Sequence, residues 1–151
     1  MGCGGSPAAT ATTNATAYAG SALSWLSAKA RLINRKLNDD QAVVDAASAA
    51  TSEIDPTTYF DRLASACTRL ADDARQAREV QTAPTASLAV AWHHMAASTK
   101  TYATDCLHLT QTRSNAALTQ WNQGLKAMNS ANGALNTVVN AVRSSSKAAA
   151  G

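Results

Sequence analysis

The sequence predicts an all-α protein, an Ala-rich, antiparallel four-helix bundle with up-down-up-down topology. The first observation is composition: the 151 residues include 35 Ala, 17 Thr and 14 Ser, and Ala favours helices more than any other residue. Leu, Ile, Val and Phe supply only 22 residues, which implies a thin core, while a net charge of only +3 argues against disorder. The second observation is spacing: apolar residues recur at alternating steps of three and four in four segments, as in helices packed side by side.

The two ends of the chain differ in composition from its middle. Residues 1–12 begin Met-Gly-Cys-Gly-Gly-Ser-Pro and continue as Ala and Thr, which predicts a flexible tether with an end-to-end reach of about 20 Å. The bundle domain is predicted to span residues 13–143. Residues 144–151 contain only Ser, Lys, Ala and Gly, and we expect a disordered tail there. The sequence contains no run of about 18 apolar residues, so it predicts no transmembrane helix.

The first helix is predicted to be long. Asn38 to Gln41 can cap a separate helix, but the apolar spacing stays in phase across them, which favours one helix with a kink near 38–40. Tyr18, Trp25 and Leu32 recur every seven residues beside the apolar seam, where they either widen the core or form a docking face. The seam itself consists of Ala19, Leu23, Leu26, Ala30, Ile33, Leu37, Val44, Ala47 and Ile54.

Two proline breaks separate the remaining helices. Asp55-Pro56 suits a helix start, and Thr82-Ala83-Pro84 suits a second interruption. The second seam is Phe60, Leu63, Cys67, Leu70, Ala74 and Ala77, and the third is Leu88, Trp92, Met95, Thr99, Tyr102, Cys106 and Leu109. The fourth is Leu118, Trp121, Leu125, Met128, Asn132, Leu135, Val139 and Val142, in which the single Asn is predicted to fix register.

Charge is divided along the chain. Residues 1–38 and 106–151 contain no acid, whereas residues 39–105 hold all ten acids against five bases. Because the first and last helices of an up-down bundle are neighbours, the fold acquires a basic side. That side either serves solubility alone or faces an anionic lipid or polymer. The predicted basic side comprises Lys29, Arg31, Arg35, Arg113 and Lys126. Nucleic acid is not predicted as a partner, because aromatic and basic residues are not interleaved.

The sequence offers no constellation for catalysis. It lacks a nucleophile-elbow motif and a Gly-rich phosphate loop. His93 and His94 are adjacent, so they point about 100° apart on a helix, and His108 lies about 21 Å along the helix from His94. We therefore predict no catalytic residue, metal or cofactor, and a binding protein rather than an enzyme. The alternative from another class is a small-ligand or metal carrier that uses the bundle interior.

Cys3 is the residue that bears most directly on location. A Cys in a Gly-rich start, followed by an Ala/Thr tether, resembles the mature start of bacterial lipoproteins, in which the Cys carries the lipid. In this interpretation, Met1 of this sequence stands in place of a removed signal peptide. The same residues also fit the myristoylation pattern, with Gly2 myristoylated and Cys3 palmitoylated. Both interpretations anchor the domain to a membrane, but on opposite faces.

Cys67 and Cys106 fall on the second and third seams. Reflection about a loop near residue 83 places Cys67 level with residue 100, so Cys106 lies about 9 Å further along. A disulfide requires Cα atoms within about 7 Å. An extracytoplasmic location favours the bond, and the alternative is two buried free thiols that act as small hydrophobic side chains.

Residues 60–140 also carry a wider resemblance. The order Cys67-Thr-Arg-Leu70, Pro84, Leu88, Trp92, Cys106 and then Leu118 to Leu135 resembles helical lipoproteins of high-GC Gram-positive bacteria. The resemblance implies a Cys67–Cys106 bond and a location in the cell envelope, and it implies no activity. We therefore expect a lipid-anchored, extracytoplasmic helical binding protein whose partners are the membrane and an envelope component. The alternative is an intracellular, dually acylated helical adaptor.

Overall fold

The structure is a computed structural model that describes residues 20–50 and 54–151. Every regular element within these ranges is a helix. Helix α1 covers residues 20–49, in which a π-helical segment, Leu26–Ala30, precedes the α-helix Arg31–Ala49. The other helices are α2 at Pro56–Glu79, α3 at Ala86–Thr112 and α4 at Asn115–Ala150. The sequence prediction of four helices is confirmed.

Short polar side chains set the start of the last three helices. In each case the residue before the helix accepts a hydrogen bond from a backbone N–H in the first turn, at 3.0–3.3 Å, which satisfies a donor that the helix cannot. Pro56 occupies the first position of α2, where its missing N–H costs nothing. The three capping residues are Asp55 for α2, Thr85 for α3 and Ser114 for α4.

Helix α1 is continuous through 38–40, in agreement with the prediction of one long helix. It ends at Ala49 rather than continuing to Ile54. Its irregularity lies instead at Leu26–Ala30, where a π turn adds one residue. Trp25 and Ala30, five positions apart, are therefore both buried, with 6% and 2% exposure.

The π turn also divides the stripe predicted beside the first seam. Trp25 widens the core, whereas Leu32, seven residues later, is 73% exposed. Tyr18, the third member of the stripe, lies outside the described residues. The extra residue rotates the following helix, so a heptad relation that holds in the sequence does not hold in space.

One continuous core joins the four helices, and each helix packs against its neighbour in sequence. The second and third seams are confirmed: all their residues are buried except Phe60, which is half-buried. Tyr102, Leu63, Leu70 and Leu88 are the largest of the side chains that are fully buried. This packing is that of a helical bundle with a thin, mainly aliphatic core.

The fourth seam is confirmed at three positions and shifted by one residue at the three positions that alternate with them. Trp121, Met128 and Leu135 are buried, but Leu118 is 42% exposed and Asn132 is only half-buried. The intervening buried positions of α4 are instead the small residues Ala117, Gly124 and Ala131. Because a small side chain permits a neighbouring helix to approach closely, these small residues are buried at the helix contact and the larger residues beside them are not.

The predicted disordered tail is helical in the structure. Helix α4 continues to Ala150, through residues 144–150, and ends at Gly151. No Gly or Pro interrupts residues 134–150, and the Ala residues near the end favour the helix. Their high exposure shows that local preference, rather than burial, maintains these last two turns.

Candidate functional site

A groove of about 910 Å³ separates α1 from α4, and α3 supplies its floor. Its volume lies within the range of about 300–1,000 Å³ that is usual for ligand sites. We call this feature the α1–α4 groove. It is lined by Leu23, Leu26, Ser27, Ala30, Arg31, Asn34, Arg35, Asn38 and Asp39 of α1, Trp92 of α3, and Leu135, Asn136, Val139, Asn140 and Arg143 of α4.

The groove follows the helical period of its two walls. Residues of α1 enter it once at Leu23 and then in pairs at each turn up to Asp39, a distance of about 24 Å along the helix. Residues of α4 enter it at the same spacing from Leu135 to Arg143. Leu23 and Val139 are half-buried on the two walls, so apolar surface that a closed bundle would bury stays accessible.

Trp92 closes the bottom of the groove with carbon atoms. Its indole nitrogen donates a hydrogen bond of 2.7 Å to the backbone oxygen of Ala77, so its one polar group is already satisfied. The Trp25 ring stands edge-on to it, with the ring centroids 5.2 Å apart. Trp25 in turn donates to the backbone oxygen of Gln81 at 2.6 Å. These contacts hold the indole of Trp92 in place beneath the groove, and at 3% exposure it presents little surface to the groove.

The π segment of α1 forms part of the same wall. Leu26, Ser27 and Ala30, three of its five residues, line the groove. A π turn is less favourable than an α turn and often occurs at functional sites. Here it brings Ala30 to the floor while Trp25 stays in the core, so it shapes the groove and the core together.

The rim of the groove is basic. Arg31, Arg35 and Arg143 are all exposed, and Asp39 is the one acid among the lining residues. Asp39 lies 4.0 Å from Arg35, but both side chains are more than 70% exposed. Such a pair is worth little in water, so it leaves Arg35 free to take another anion. Four amides complete the rim: Asn34, Asn38, Asn136 and Asn140.

The structure brings together only part of the predicted basic side. Arg31 and Arg35 share the groove with Arg143, which lay outside that prediction. Lys29 borders a separate depression near Gln81, and Lys126 is exposed elsewhere on α4. Arg113 has a left-handed backbone at the end of α3, with its guanidinium 4.6 Å from the centre of the Phe60 ring. Only the position of α4 beside α1 places Arg143 in the lining of the same groove.

Cys67 and Cys106 meet at disulfide distance across the α2–α3 interface, with their Cα atoms 6.2 Å apart. The predicted offset of about 9 Å is wrong, because it assumed a connection that folds back symmetrically. Val80 and Thr85, at the two ends of the connection, are both extended, and this lets α3 shift along α2. Both cysteines are completely buried.

Cys3, the predicted lipidation site, lies outside the described residues, as do all of residues 1–12. The proposed anchor therefore rests on the sequence pattern.

A second charged cluster fastens α1 to α2. Lys36 lies 3.1 Å from a carboxylate oxygen of buried Asp73, and Arg69 lies 3.9 Å from Asp40. Burial and the neighbouring Asp73 raise the pKa of Asp40 above its ordinary value of 3.8, while Arg69 and Lys36 oppose the shift. Because both carboxyl groups already have a cationic partner on the adjacent helix, we interpret the cluster as a link between the two helices.

His93, His94 and His108 are all exposed on α3. Within residues 20–50 and 54–151, no group of three or more His, Cys, Asp or Glu side chains is arranged to hold a metal ion. The α1–α4 groove therefore remains as the candidate binding site.

Comparison of the chain with protein-family models, with curated proteins and with solved structures finds no match. No helix in the described part of the chain has both the length and the apolar character needed to cross a membrane.

Proposed function

We propose that this protein is a non-catalytic binding protein whose α1–α4 groove holds its ligand. The observation that carries the proposal is a groove of about 910 Å³ with half-buried apolar side chains on its walls and a rim of exposed arginines and amides. In the bundle we propose, the helices run up-down-up-down, so α1 and α4 are neighbours that leave this space unfilled.

A membrane anchor at Cys3 completes the proposal. The domain is held at the outer face of the cell envelope by a diacylglycerol on Cys3, as in the lipoproteins that the sequence resembles, and binds an envelope component. Disulfide distance between Cys67 and Cys106 supports an oxidising compartment. The alternative is myristoylation of Gly2 with palmitoylation of Cys3, which places the same domain on the cytoplasmic face.

The groove is tested with N-phenyl-1-naphthylamine, an uncharged dye that fluoresces in apolar sites. The wild type is expected to bind it. The double variant Asn34→Phe/Asn140→Phe puts two rings into the groove and should weaken binding about tenfold or more, by excluded volume. The control variant Asn122→Phe/Asn129→Phe adds the same rings at exposed sites of α4 outside the groove. Absence of dye binding, or equal loss in both variants, would contradict the proposal.

The anchor is tested by membrane fractionation of cells that express the chain with its native leader. Cys3→Ser should release the protein from membranes and leave its thermal stability unchanged. Gly2→Ala is the matched control: it should have no effect on a diacylglycerol anchor but should abolish N-myristoylation. Retention of the Cys3→Ser protein on membranes at high salt would refute the anchor.

A further inference from the structure

We propose that the ligand of the α1–α4 groove is a hydroxylated anionic chain, a polyol phosphate or an acidic oligosaccharide, which lies lengthwise between the two helices. Its anionic groups pair with arginines spaced along the groove, and its hydroxyl groups hydrogen-bond to the asparagines between them. This inference rests on the proposed function, because it names the ligand class of the same groove.

The accessible surface of the groove is largely polar. Trp92, Ala30 and Leu135 are only 2–6% exposed, so they close the floor without offering much surface to a ligand. A groove whose exposed side chains are polar suits a ligand rich in hydrogen-bonding groups, because such a ligand replaces the water that those side chains lose. The exposed lining residues are Ser27, Arg31, Asn34, Arg35, Asn38, Asp39, Asn136, Asn140 and Arg143.

The four asparagines of the lining suit hydroxyl groups. An Asn side chain carries two N–H donors and an oxygen acceptor, so it can both donate to a hydroxyl group and accept from one. Asn34 and Asn38 lie one turn apart on α1, and Asn136 and Asn140 lie one turn apart on α4. Within residues 20–50 and 54–151, no other residue forms a hydrogen bond with these four side-chain amides, so they are available to a ligand.

The arginines are spread along the groove. In the antiparallel bundle that we propose, α4 runs towards the end of the molecule at which α1 begins. Arg143 therefore lies level with the start of α1, whereas Arg31 and Arg35 lie further along α1. Arg35 and Arg143 are consequently on the order of 20 Å apart along the helix axis. One small anion cannot contact both, but a chain that carries anionic groups at intervals can.

The charge of the lining favours such a chain. Three arginines face a single acid, Asp39. Neither Arg31 nor Arg143 forms an ion pair with any described residue. A guanidinium binds a phosphate or a carboxylate group through two parallel hydrogen bonds, so each arginine can hold a separate anionic group of one chain.

Two other kinds of polyanion fit the groove less well. Proteins that bind single-stranded nucleic acid stack its bases on accessible aromatic rings, and Trp92, the aromatic residue of the lining, is buried. An acidic helix docks in a groove through apolar anchors, and this floor offers little apolar surface to receive them. A hydroxylated chain requires neither feature.

Isothermal titration calorimetry of the wild-type chain at low ionic strength tests the ligand class. The acidic probes are the hexamers of galacturonic acid and of glycerol phosphate, and the one that binds more tightly identifies the anion. The uncharged methyl ester of the galacturonate hexamer and the galacturonate monomer should both bind about tenfold or more weakly. Hexaglutamate and a thymidine hexanucleotide are anionic but lack hydroxyl groups along the chain, and they should be weaker by a similar factor.

Two variants test the role of the arginines. Arg35→Gln/Arg143→Gln removes a cation near each end of the groove and should weaken binding of both acidic hexamers about tenfold or more. The control variant Arg78→Gln/Lys126→Gln removes two exposed cations outside the groove and should keep the affinity within about twofold.

A second pair of variants tests the role of the amides. Asn34→Ala/Asn136→Ala should reduce the advantage of the galacturonate hexamer over hexaglutamate to about threefold or less. The control variant Asn122→Ala/Asn129→Ala changes exposed amides of α4 outside the groove and should retain the advantage.

Three outcomes would overturn the inference: binding of neither acidic hexamer, equal or tighter binding of hexaglutamate or the thymidine hexanucleotide, or equal effects of the groove variants and their controls. N-phenyl-1-naphthylamine is titrated into the same protein samples. In those three outcomes the dye still binds the wild type, whereas failure of the proposed function removes dye binding itself.

Discussion

Gly124 shows how a single small residue governs the packing of α4. A Cβ atom at this position would lie 3.1 Å from a carboxylate oxygen of Asp105 and 3.3 Å from the Cα of Tyr102. The second of these neighbours is backbone, which cannot move aside as a flexible side chain can. Asp105 is also held, because Gln120 donates to it at 2.7 Å. At this helix spacing a Cβ atom at position 124 would require the neighbouring atoms of α3 to shift by a few tenths of an ångström.

Gly124→Ala is expected to lower the free energy of unfolding even though Ala is the better helix former. The steric contact with Tyr102 forces α3 and α4 apart, and this loss outweighs the helix-propensity gain of about 1 kcal/mol. Gly133→Ala is the matched control. Nothing lies within 4 Å of its added Cβ atom, so it should stabilise the protein by about 1 kcal/mol. Urea unfolding of the two variants measures both changes, and equal effects would contradict the close approach.

Asp40 and Asp55 should respond to pH in opposite ways. Hydrogen bonds from the Thr58 hydroxyl and backbone N–H lower the pKa of Asp55 below 3.8, so its charge stabilises the fold at neutral pH. That contribution is lost as pH falls through the lowered pKa. The pKa of Asp40 is raised, chiefly by burial, so ionisation of Asp40 lowers stability as pH rises through that pKa.

Two isosteric variants check these signs. Asp55→Asn should lower the free energy of unfolding at pH 7, with the difference from wild type shrinking as the pH falls below about 4. Asp40→Asn should raise it at pH 7, with the difference also shrinking in acid. Denaturant unfolding at a series of pH values measures both curves. A loss of stability in Asp40→Asn at pH 7 would mean that its pair with Arg69 dominates.

At the scale of elements, the π segment of α1 allows two side chains five positions apart to face the interior together. Trp25 must enter the core to meet Trp92 and donate to Gln81, while Ala30 must reach the groove floor. In an α-helix, residues five positions apart point about 140° from each other. The additional residue in the turn brings both to the inner side, at the cost of less favourable backbone hydrogen bonds.

The pairing of α2 with α3 gives a prediction about redox state. Cys67 and Cys106 are at disulfide distance with 39 residues of separation, so a bond would close a loop of about 40 residues. The chain-entropy relation assigns such a loop about 3–4 kcal/mol. Protein exported under oxidising conditions should lack two hydrogens by mass, and Cys67→Ala/Cys106→Ala should be less stable by about that amount. Cys3→Ala is the control, and two alkylatable buried thiols in exported protein would refute the bond.

At the scale of the whole molecule, all four helices contribute to one continuous core. The tryptophans report on three of them: Trp25 in α1, Trp92 in α3 and Trp121 in α4. Helix α2 contains none, and its Leu70 is fully buried. If a substitution in α2 shifts the unfolding transition of the tryptophans in the other helices, the bundle unfolds as one unit.

Leu70→Ala should lower the free energy of unfolding by about 2–5 kcal/mol, because it leaves a cavity in the core. Tryptophan fluorescence and circular dichroism at 222 nm should shift together, as expected when one cooperative unit unfolds. Leu32→Ala, at a position that is 73% exposed, should change stability by less than about 0.5 kcal/mol. Separate fluorescence and dichroism transitions would show that α2 unfolds independently of the other helices.

The sequence by itself determined the helical class, the start of α2 and most of the core. Alternating apolar steps identify the inner face of a helix from local spacing alone, and this was sufficient for Leu63, Leu70 and Leu88. Asp55 before Pro56 likewise marks a helix start, because capping involves residues only three positions apart. Local composition misled at residues 144–150, where Ser and Lys continue a helix just as Ala does.

Only the tertiary structure decided which residues of α4 are buried, where α1 gains a π turn, and that a groove exists. Gly124 is buried because a neighbouring helix approaches it, and apolar spacing cannot register a side chain that is absent. Arg35 and Arg143 share the groove although they lie 108 positions apart in the sequence. The space between two helices depends on how both helices pack on the rest of the bundle. The apolar spacing within either helix therefore cannot predict it.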